Sequence, residues 1–417
     1  MNTNSEYKID KIIKEIEVKK LKNVYHEYND VISLISKFII KKKLILYGGF
    51  VINLILPKKL RFYKDYTIND FDCLSKNPLK DSIELANIIK TKGYTYIKIK
   101  KAKHQGTYRV YVYGKQIFDI SIIKSNLYDN LLKYSKKEKK QLLHFKDKYI
   151  IIPLSIIKKN LYYELSRPEQ SGYRWEKIYE RLNILNTTYP TELLNIKYTC
   201  VKIPGVYKQL TNSILQYVKK SKNPIIDSFA LKLYKKSNVN CCGRINDYSK
   251  YITILSKDYE KTKNDIINII KKCKLENYEI DINNRIDRDD ILYTYYDINI
   301  INKDNNTIFN LINIINVKNE CFSINNTNSN VNNYTIGSLD TILYFLYTTY
   351  IYNTIYINDP IMANEKLYYI NQYEKYIIEN INNNIMKRLK SNCYGIINYE
   401  DEIKEIWKKK LTLKYIT

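Results

Sequence analysis

The sequence predicts an α/β chain, more closely α+β, made of two successive units with mixed sheets and helices, and three observations predict it. Apolar Leu44-Ile45-Leu46-Tyr47 runs into Gly48-Gly49 and then into apolar Phe50 to Leu56, a strand, turn and helix stopped by Pro57. Tyr94 to Lys100, Thr107 to Tyr113 and Gln116 to Ile123 are rich in β-branched and aromatic residues with Gly106 and Gly114 between them, which predicts antiparallel strands at one side of a sheet. Beyond Pro224, strand and helix patterns alternate again through Asn-rich loops such as Asn325 to Asn333, which predicts a second α/β unit of similar size.

The remaining elements fall into place around these. Glu6 to Ile40 spaces Ile, Val and Leu among charges at helical intervals, predicting one or two amphipathic helices. A strand is expected near Phe71 to Leu74, and Asp81 to Lys92 reads as a helix that Gly93 ends. From Asn126 to Lys222 the pattern is mainly helical. Ile336 to Ile357 is apolar, yet Asp340 and its several Thr and Tyr residues predict a buried helix rather than a membrane span. The expected organisation is a helical segment over 1–42, a first α/β domain over 43–195 and a second over 196–417.

Composition narrows the class of protein. A chain of 417 residues is long enough to bury two cores without disulfide staples. Its 7 cysteines are odd in number, form no CxxC pair and place Cys241 beside Cys242, which suits neither a disulfide framework nor a zinc site and fits a reducing, intracellular compartment. Met1 to Asp30 carries charges throughout and lacks the apolar core of a signal peptide, so a soluble protein with no membrane partner is expected. With 43 Tyr against 10 Phe, the composition carries the imprint of an AT-rich genome, so the net charge of +26 matters less than its distribution. Residues 1–250 hold 49 Lys+Arg against 22 Asp+Glu, a net +27, while 251–417 hold 20 against 21, a net −1. Mutational drift towards Lys would not segregate charge in this way. An excess confined to the first portion implies a polyanionic partner there; the plainer reading is a well-solvated Lys-rich surface.

The candidate chemistry lies in carboxylates. Asp70-Phe71-Asp72 puts two acids on one face of an extended segment, because alternate side chains of a strand point the same way. Asp119, flanked by Phe118 and Ile120, is an acid on a strand of its own, held against apolar surroundings. Three carboxylates converging on one sheet edge can hold two divalent ions, Mg2+ or Mn2+, for in-line phosphoryl transfer. Taken singly, each acid also reads as a turn or capping residue. Gly48-Gly49, between a strand and a helix, exposes backbone N–H groups at a positive helix end where phosphate oxygens can approach without a Cβ in the way. His104 reads as a loop residue that positions the following strand.

The order of these parts carries a resemblance. Tyr47-Gly48-Gly49, Leu56-Pro57-Lys58-Lys59-Leu60-Arg61-Phe62-Tyr63 and Asn69-Asp70-Phe71-Asp72-Cys73-Leu74-Ser75 resemble the catalytic subunits of poxvirus and giant-virus poly(A) polymerases, within the polymerase-beta-like nucleotidyltransferases. Lys92-Gly93-Tyr94, His104-Gln105-Gly106-Thr107-Tyr108-Arg109-Val110, Asp119-Ile120-Ser121 and Glu164-Leu165-Ser166-Arg167-Pro168 are similar to that family. So is the stretch from Arg174 to Leu182. The likeness is strong over Tyr47 to Pro190. It implies a nucleotidyltransferase palm over 43–195 and a degenerate nucleotidyltransferase-like domain over 196–417. Asp70, Asp72 and Asp119 are then the catalytic metal ligands. It further implies ATP as donor, an RNA 3′ end as acceptor, and either self-association or a viral processivity subunit. The location would be the cytoplasm, in the viral factory or virion of a large DNA virus. Departures include Asn69 for the family's Pro, Phe71 for its Tyr, and Phe50 where related transferases often place Ser or Thr.

Candidate phosphate contacts follow. At about 100° per residue, Trp175, Ile178, Tyr179, Leu182 and Leu185 form one stripe of a helix, with Arg174, Lys177 and Arg181 grouped beside it and Glu176 and Glu180 elsewhere. Three cations on one side suit a triphosphate or an RNA backbone, as well as a solvated face. Lys58, Lys59, Arg61, Lys103 and Arg109 are the candidate RNA contacts in the basic first portion. The rival activities are CCA or U addition and second-messenger synthesis. A non-catalytic RNA-binding subunit is the rival of another class, and its mark would be a broken acid triad.

Overall fold

The computed structural model describes residues 3–64, 67, 70–102, 104–139, 149–192, 205–235, 252–273, 275–285, 293–317, 320–326, 333–381 and 384–397. Two compact units share the chain, the first up to Ile157 and the second from Lys158. The first runs α1 (Thr3–Lys42), β1 (Ile45–Tyr47), α2 (Gly48–Ile55), β2 (Phe71–Ser75), α3 (Pro78–Thr91), β3 (Ile97–Lys101), β4 (Thr107–Val112), β5 (Lys115–Ile122), α4 (Ser125–Lys139), β6 (Ile150–Ile151) and the start of α5 (Leu154–Leu165).

Its strands form one mixed sheet in the order β3-β4-β5-β2-β1-β6, with β2–β5 and β1–β6 parallel and the other neighbours antiparallel. One face is covered: α3 packs across β3, β4 and β5, and α1 sets Phe38 edge-on to Phe118 at 6.5 Å between centroids. Fully buried Val110, Val112, Phe118 and Ile120 lie in this layer. Burial of such side chains, each contributing about 1.5–3 kcal/mol, fixes the sheet against the helices. Because successive residues alternate across a strand, this leaves the opposite face to Asp72, Asp119 and Arg109. The N-terminal charges and apolar residues form a single helix, α1, rather than two, and its last turns bury Val31, Ile35, Phe38 and Ile39.

The second unit contains the rest of α5, then α6 (Pro168–Ser171), α7 (Trp175–Thr188), α8 (Gly205–Ser221), α9 (Ser228–Lys235), β7 (Ile252–Ser256), α10 (Tyr259–Lys272), β8 (Tyr278–Arg285), β9 (Tyr295–Asn302) and β10 (Ile308–Asn316). It continues through β11 (Cys321–Asn326), β12 (Thr335–Gly337), α11 (Leu339–Tyr352), α12 (Pro360–Asn380), α13 (Ile385–Arg388) and β13 (Cys393–Gly395). As the apolar pattern predicts, α11 is a buried helix, and among the described residues no helix is long and apolar enough to cross a membrane. Its Asp340 is held by Arg388, Nη2 to Oδ1 at 2.8 Å, both residues 1% exposed. A paired charge is the form in which a buried acid is tolerated.

The sheet β7-β10-β9-β8 repeats the topology of the first unit. In both, a five-residue strand feeds a fourteen-residue helix and then a three-stranded antiparallel meander, whose last strand returns parallel to the first. Ile225 even bridges Ile254 antiparallel and Ile336 parallel, as β1 does between β2 and β6. No short sequence repeat marks this, because the repeat is one of hydrophobic layers and strand order. The same register shows which residues occupy the matching positions in the second unit. Thr253 stands where Asp72 stands, and its partner across the parallel pair is Asn313 where Asp119 would be. Asp227 and Ser228 replace Gly48 and Gly49, with the buried Asp227 carboxylate accepting from the N–H groups of Phe229 and Thr253. Cys242 to Arg244 and Asp287 to Asp290 lie outside the described residues.

One expectation is corrected. The cysteine pattern predicts no disulfide, yet Cys321 and Cys393 are joined, Cα to Cα 5.3 Å, because β11 pairs with β13 and brings together residues 72 apart in sequence. Spacing along a chain carries no trace of such a tertiary pairing.

Candidate active site

The site grows from two neighbouring strands. In the β2–β5 pair Asp72 lies directly opposite Asp119, and on the other side Asp72 is opposite Tyr47 at the end of β1. Asp70, one step before β2, shares the face of Asp72 by strand alternation. The three predicted acids are thus on one sheet face. Their carboxylates do not close on one another as a finished ligand set: among the described residues, the three acids do not bring one oxygen each within 4.8 Å of the others. Instead, Gln116 Nε2 donates to Asp70 Oδ2 at 3.3 Å and to Asp119 Oδ1 at 2.9 Å, one amide joining two of the acids.

Gln116 is a partner of the acids that the sequence did not reveal. It sits three positions before Asp119, which on a regular strand would turn it to the other face. The β4–β5 register slips by one residue between Val110/Phe118 and Tyr111/Gln116, and this bulge brings Gln116 round to the acids. A bulge leaves no mark in the amino-acid pattern here.

Asp119 is 7% exposed. Burial pushes its carboxyl up to about 6, opposed by the Arg109 guanidinium and reinforced by the neighbouring Asp70 charge. Arg109 Nε reaches Asp119 Oδ2 at 3.2 Å, so this candidate RNA contact is engaged with the third acid. An acid raised by burial and by a second carboxylate is a position where a dication is favourable, and the all-oxygen donor set suits Mg2+ or Mn2+.

The glycines act through space as well as through their N–H groups. Gly48 begins α2 with φ +78°, and a Cβ on it would fall on the Asp72 carboxylate, 2.8 Å from Cγ. Only glycine has both the backbone freedom and the empty volume needed there. The α2 N-terminus has no side-chain cap hydrogen bond, and its first residue, Gly48, lies close against this carboxylate. Phe50, in the place of a hydroxyl residue, packs on Phe71 at 4.7 Å between centroids.

The cationic candidates are differently disposed. Lys58 and Lys59 are exposed in a short 3-10 turn, whereas Arg61 donates to Leu56 O at 3.2 Å and Leu54 O at 3.3 Å, capping the end of α2. Lys103 lies outside the described residues. Arg174, Lys177 and Arg181 all belong to the second unit. Lys177 is exposed, Arg174 pairs with Glu164 at 3.3 Å, and Arg181 is only 8% exposed among the residues α7 buries. The helical spacing puts them near one another but not in one solvent-facing row.

Known proteins resemble this chain in sequence and in fold. The family model of the poly(A) polymerase catalytic subunit matches residues 33–170. A candidate poly(A) polymerase catalytic subunit of Acanthamoeba polyphaga mimivirus is 27% identical over 46% of this chain and 33% of its own length. Its counterpart in African swine fever virus is 29% identical over 42% and 36%. The chain therefore spans about a third of the length of the curated relatives it matches. The crystal structure of the Megavirus polyadenylate synthase has the same fold, with a TM-score of 0.75 at 17% identity, over 100% of this chain and 86% of that one. Residues 33–170, with Gly48, Asp70, Asp72 and Asp119 among them, thus match the poly(A) polymerase catalytic subunit domain, and the chain resembles the viral members of that family as its motifs imply.

Proposed function

We propose that this protein is a template-independent poly(A) polymerase, a polynucleotide adenylyltransferase that adds AMP from ATP to RNA 3′ ends, with Asp70, Asp72 and Asp119 holding two divalent ions. The observation that carries the reading is the register of Asp72 against Asp119 on parallel strands, with Asp70 tied to the same face through Gln116. Bound there, Mg2+ or Mn2+ supplies positive charge that activates an attacking 3′-hydroxyl and offsets charge on departing pyrophosphate. The protein's own groups do the rest. Gly48 leaves room for the Asp72 carboxylate, and the first N–H groups of α2 are available to triphosphate oxygens. Arg109 keeps Asp119 compensated while no cation is near, and Gln116 holds Asp70 and Asp119 in orientation. Arg174, Lys177 and Arg181 remain proposed phosphate contacts. Polyadenylation of viral mRNA in the cytoplasm, with a second copy or a processivity subunit as partner, is the context this reading fits.

An intact triad argues against a non-catalytic RNA-binding subunit. Primer extension with each of the four nucleoside triphosphates tests the reading: a linear A-tract from ATP alone is expected. Asp72→Ala should lower turnover by several orders of magnitude, because loss of metal stabilisation removes several kcal/mol. Near-normal extension by purified Asp72→Ala would overturn the assignment of the acids. Products built from another nucleotide would overturn the adenylyl specificity.

A further inference from the structure

The acid-bearing face of the first sheet continues beyond Asp119 as a track of a different character. On β4, Arg109 lies opposite Asp119, and Tyr111 follows two residues on, on the same face. Across the next pair, Lys100 on β3 lies opposite Arg109, and Lys98 opposite Tyr111. Two rungs therefore lead from the third acid to the sheet edge: Arg109 with Lys100, and Tyr111 with Lys98. Lys100 Nζ sits 5.0 Å from the centre of the Tyr111 ring, and Tyr111 OH donates to Gln116 Oε1 at 3.4 Å, linking the track to the amide that holds the acids. Lys98 is exposed, and Lys100 and Tyr111 are half-buried. Neither β3 nor β4 contains an acidic residue. The helices that cover these strands lie on the other face, so among the described residues of the unit this surface is basic and aromatic, with Lys98 exposed and Lys100 and Tyr111 partly so.

Strand order says which ligand belongs here. The glycine turn is on β1, the acids on β2 and β5, and the track on β4 and β3, so the acids separate the helix N-terminus from the lysines. In-line displacement at phosphorus keeps the attacking and leaving oxygens on opposite sides. If the α2 N-terminus receives the departing phosphates, the attacking strand must approach from the opposite side, over β4 and β3. We propose that Lys98, Lys100 and Tyr111 bind the acceptor RNA just upstream of its 3′-hydroxyl, the lysines contacting phosphate and the Tyr111 ring stacking on a base. This rests on the polymerase reading above. It identifies a subsite about two strand spacings, roughly 10 Å, from Asp119. Stacking on an aromatic ring beside cations binds single strands with little sequence preference, as a growing tail requires.

The test uses the full-length protein with Lys98→Ala/Lys100→Ala, Tyr111→Leu and the conservative Tyr111→Phe. Binding of a fluorescent single-stranded oligo(A) is followed by anisotropy across a salt titration, and KM values for RNA and ATP are measured separately. The double lysine variant should bind RNA at least tenfold more weakly, with its salt slope shallower by about 1.4 for two lost single-strand contacts. Its KM for RNA should rise while that for ATP holds. Tyr111→Leu should weaken RNA binding and Tyr111→Phe should restore it, since stacking needs the ring and not the hydroxyl. If ATP KM rises and RNA binding is unchanged, the track holds the triphosphate and the proposal is overturned. If both are unchanged, the lysines merely protect an edge strand, which also overturns it. The binding arm needs no turnover. A wild-type protein that binds RNA through this track but extends no primer would refute the polymerase reading and leave the RNA site standing.

Discussion

Replacing Gly48 with alanine should separate two roles of a glycine that are usually mixed, because Gly93 is a matched control. Both have a left-handed backbone, φ +78° and +90°. A Cβ at Gly93 meets nothing within 4 Å, whereas at Gly48 it falls on the Asp72 carboxylate, 2.8 Å from Cγ. Alanine in this backbone region costs about 1–2 kcal/mol wherever it occurs. For a unit of this size that is a fall in melting temperature of roughly 2–8 °C. Gly93→Ala should show that fall and retain turnover. Gly48→Ala carries the same backbone cost and must also move the Asp72 carboxyl or the α2 N-terminus. Since a contact closer than 3 Å cannot persist, the carboxylate leaves the position that the β2–β5 register gives it. Loss of one metal ligand is worth several kcal/mol at the transition state, and each 1.36 kcal/mol is tenfold in rate. Turnover should therefore drop by about two to three orders of magnitude beyond anything the melting curve explains. The assays are differential scanning fluorimetry and steady-state primer extension at saturating ATP. If Gly48→Ala turns over as well as Gly93→Ala, the clearance around Asp72 has no catalytic importance and the reasoning fails.

Two further outcomes follow from the second unit. Burial pushes the Asp227 carboxyl up to about 7, so its protonated form is favoured on folding, and its contribution to stability is full below about pH 4 and is lost as pH rises through 7. Asp227→Asn should lessen the decline in wild-type melting temperature between about pH 5 and 7, by at most about 1.4 kcal/mol per pH unit; parallel pH profiles for the two proteins would contradict this. Lys177→Ala, an exposed change, should raise the ATP KM with melting altered by no more than about 0.5 kcal/mol, while Arg181→Ala, at a site 8% exposed, should lower the melting temperature. An unaltered ATP KM in Lys177→Ala removes it from the phosphate contacts.

Local pattern was a sound guide to local structure and to the sheet face that the acids share. Two carboxylates two residues apart on a strand share a face whatever the rest of the chain does, and the third acid stood out because apolar neighbours flank it on both sides. The Gly-Gly turn was legible for a similar reason: a strand must end and a helix begin within two residues. The candidate cations were less legible. Helical spacing put Arg174, Lys177 and Arg181 close together, but it could not tell that Arg181 faces inward and Arg174 meets Glu164. Arg61 and Arg109 likewise read as free cations until a helix end and a carboxylate were found beside them.

The sequence by itself determined the α/β class, the order of strands and helices around the acids, and the charge asymmetry of the chain, since each follows from residues within one or two turns of each other or from plain composition. Only the tertiary structure decided that β2 pairs parallel with β5, which sets Asp72 against Asp119, and that a one-residue bulge delivers Gln116 to both outer acids. It alone showed that the second sheet repeats the first with Thr253 and Asn313 in the acid positions, and that Cys321 meets Cys393. The physical reason is common to all of these: strand register is fixed by the packing of whole faces against distant helices, and a shift of one residue, invisible in the local pattern, reverses which side chains meet.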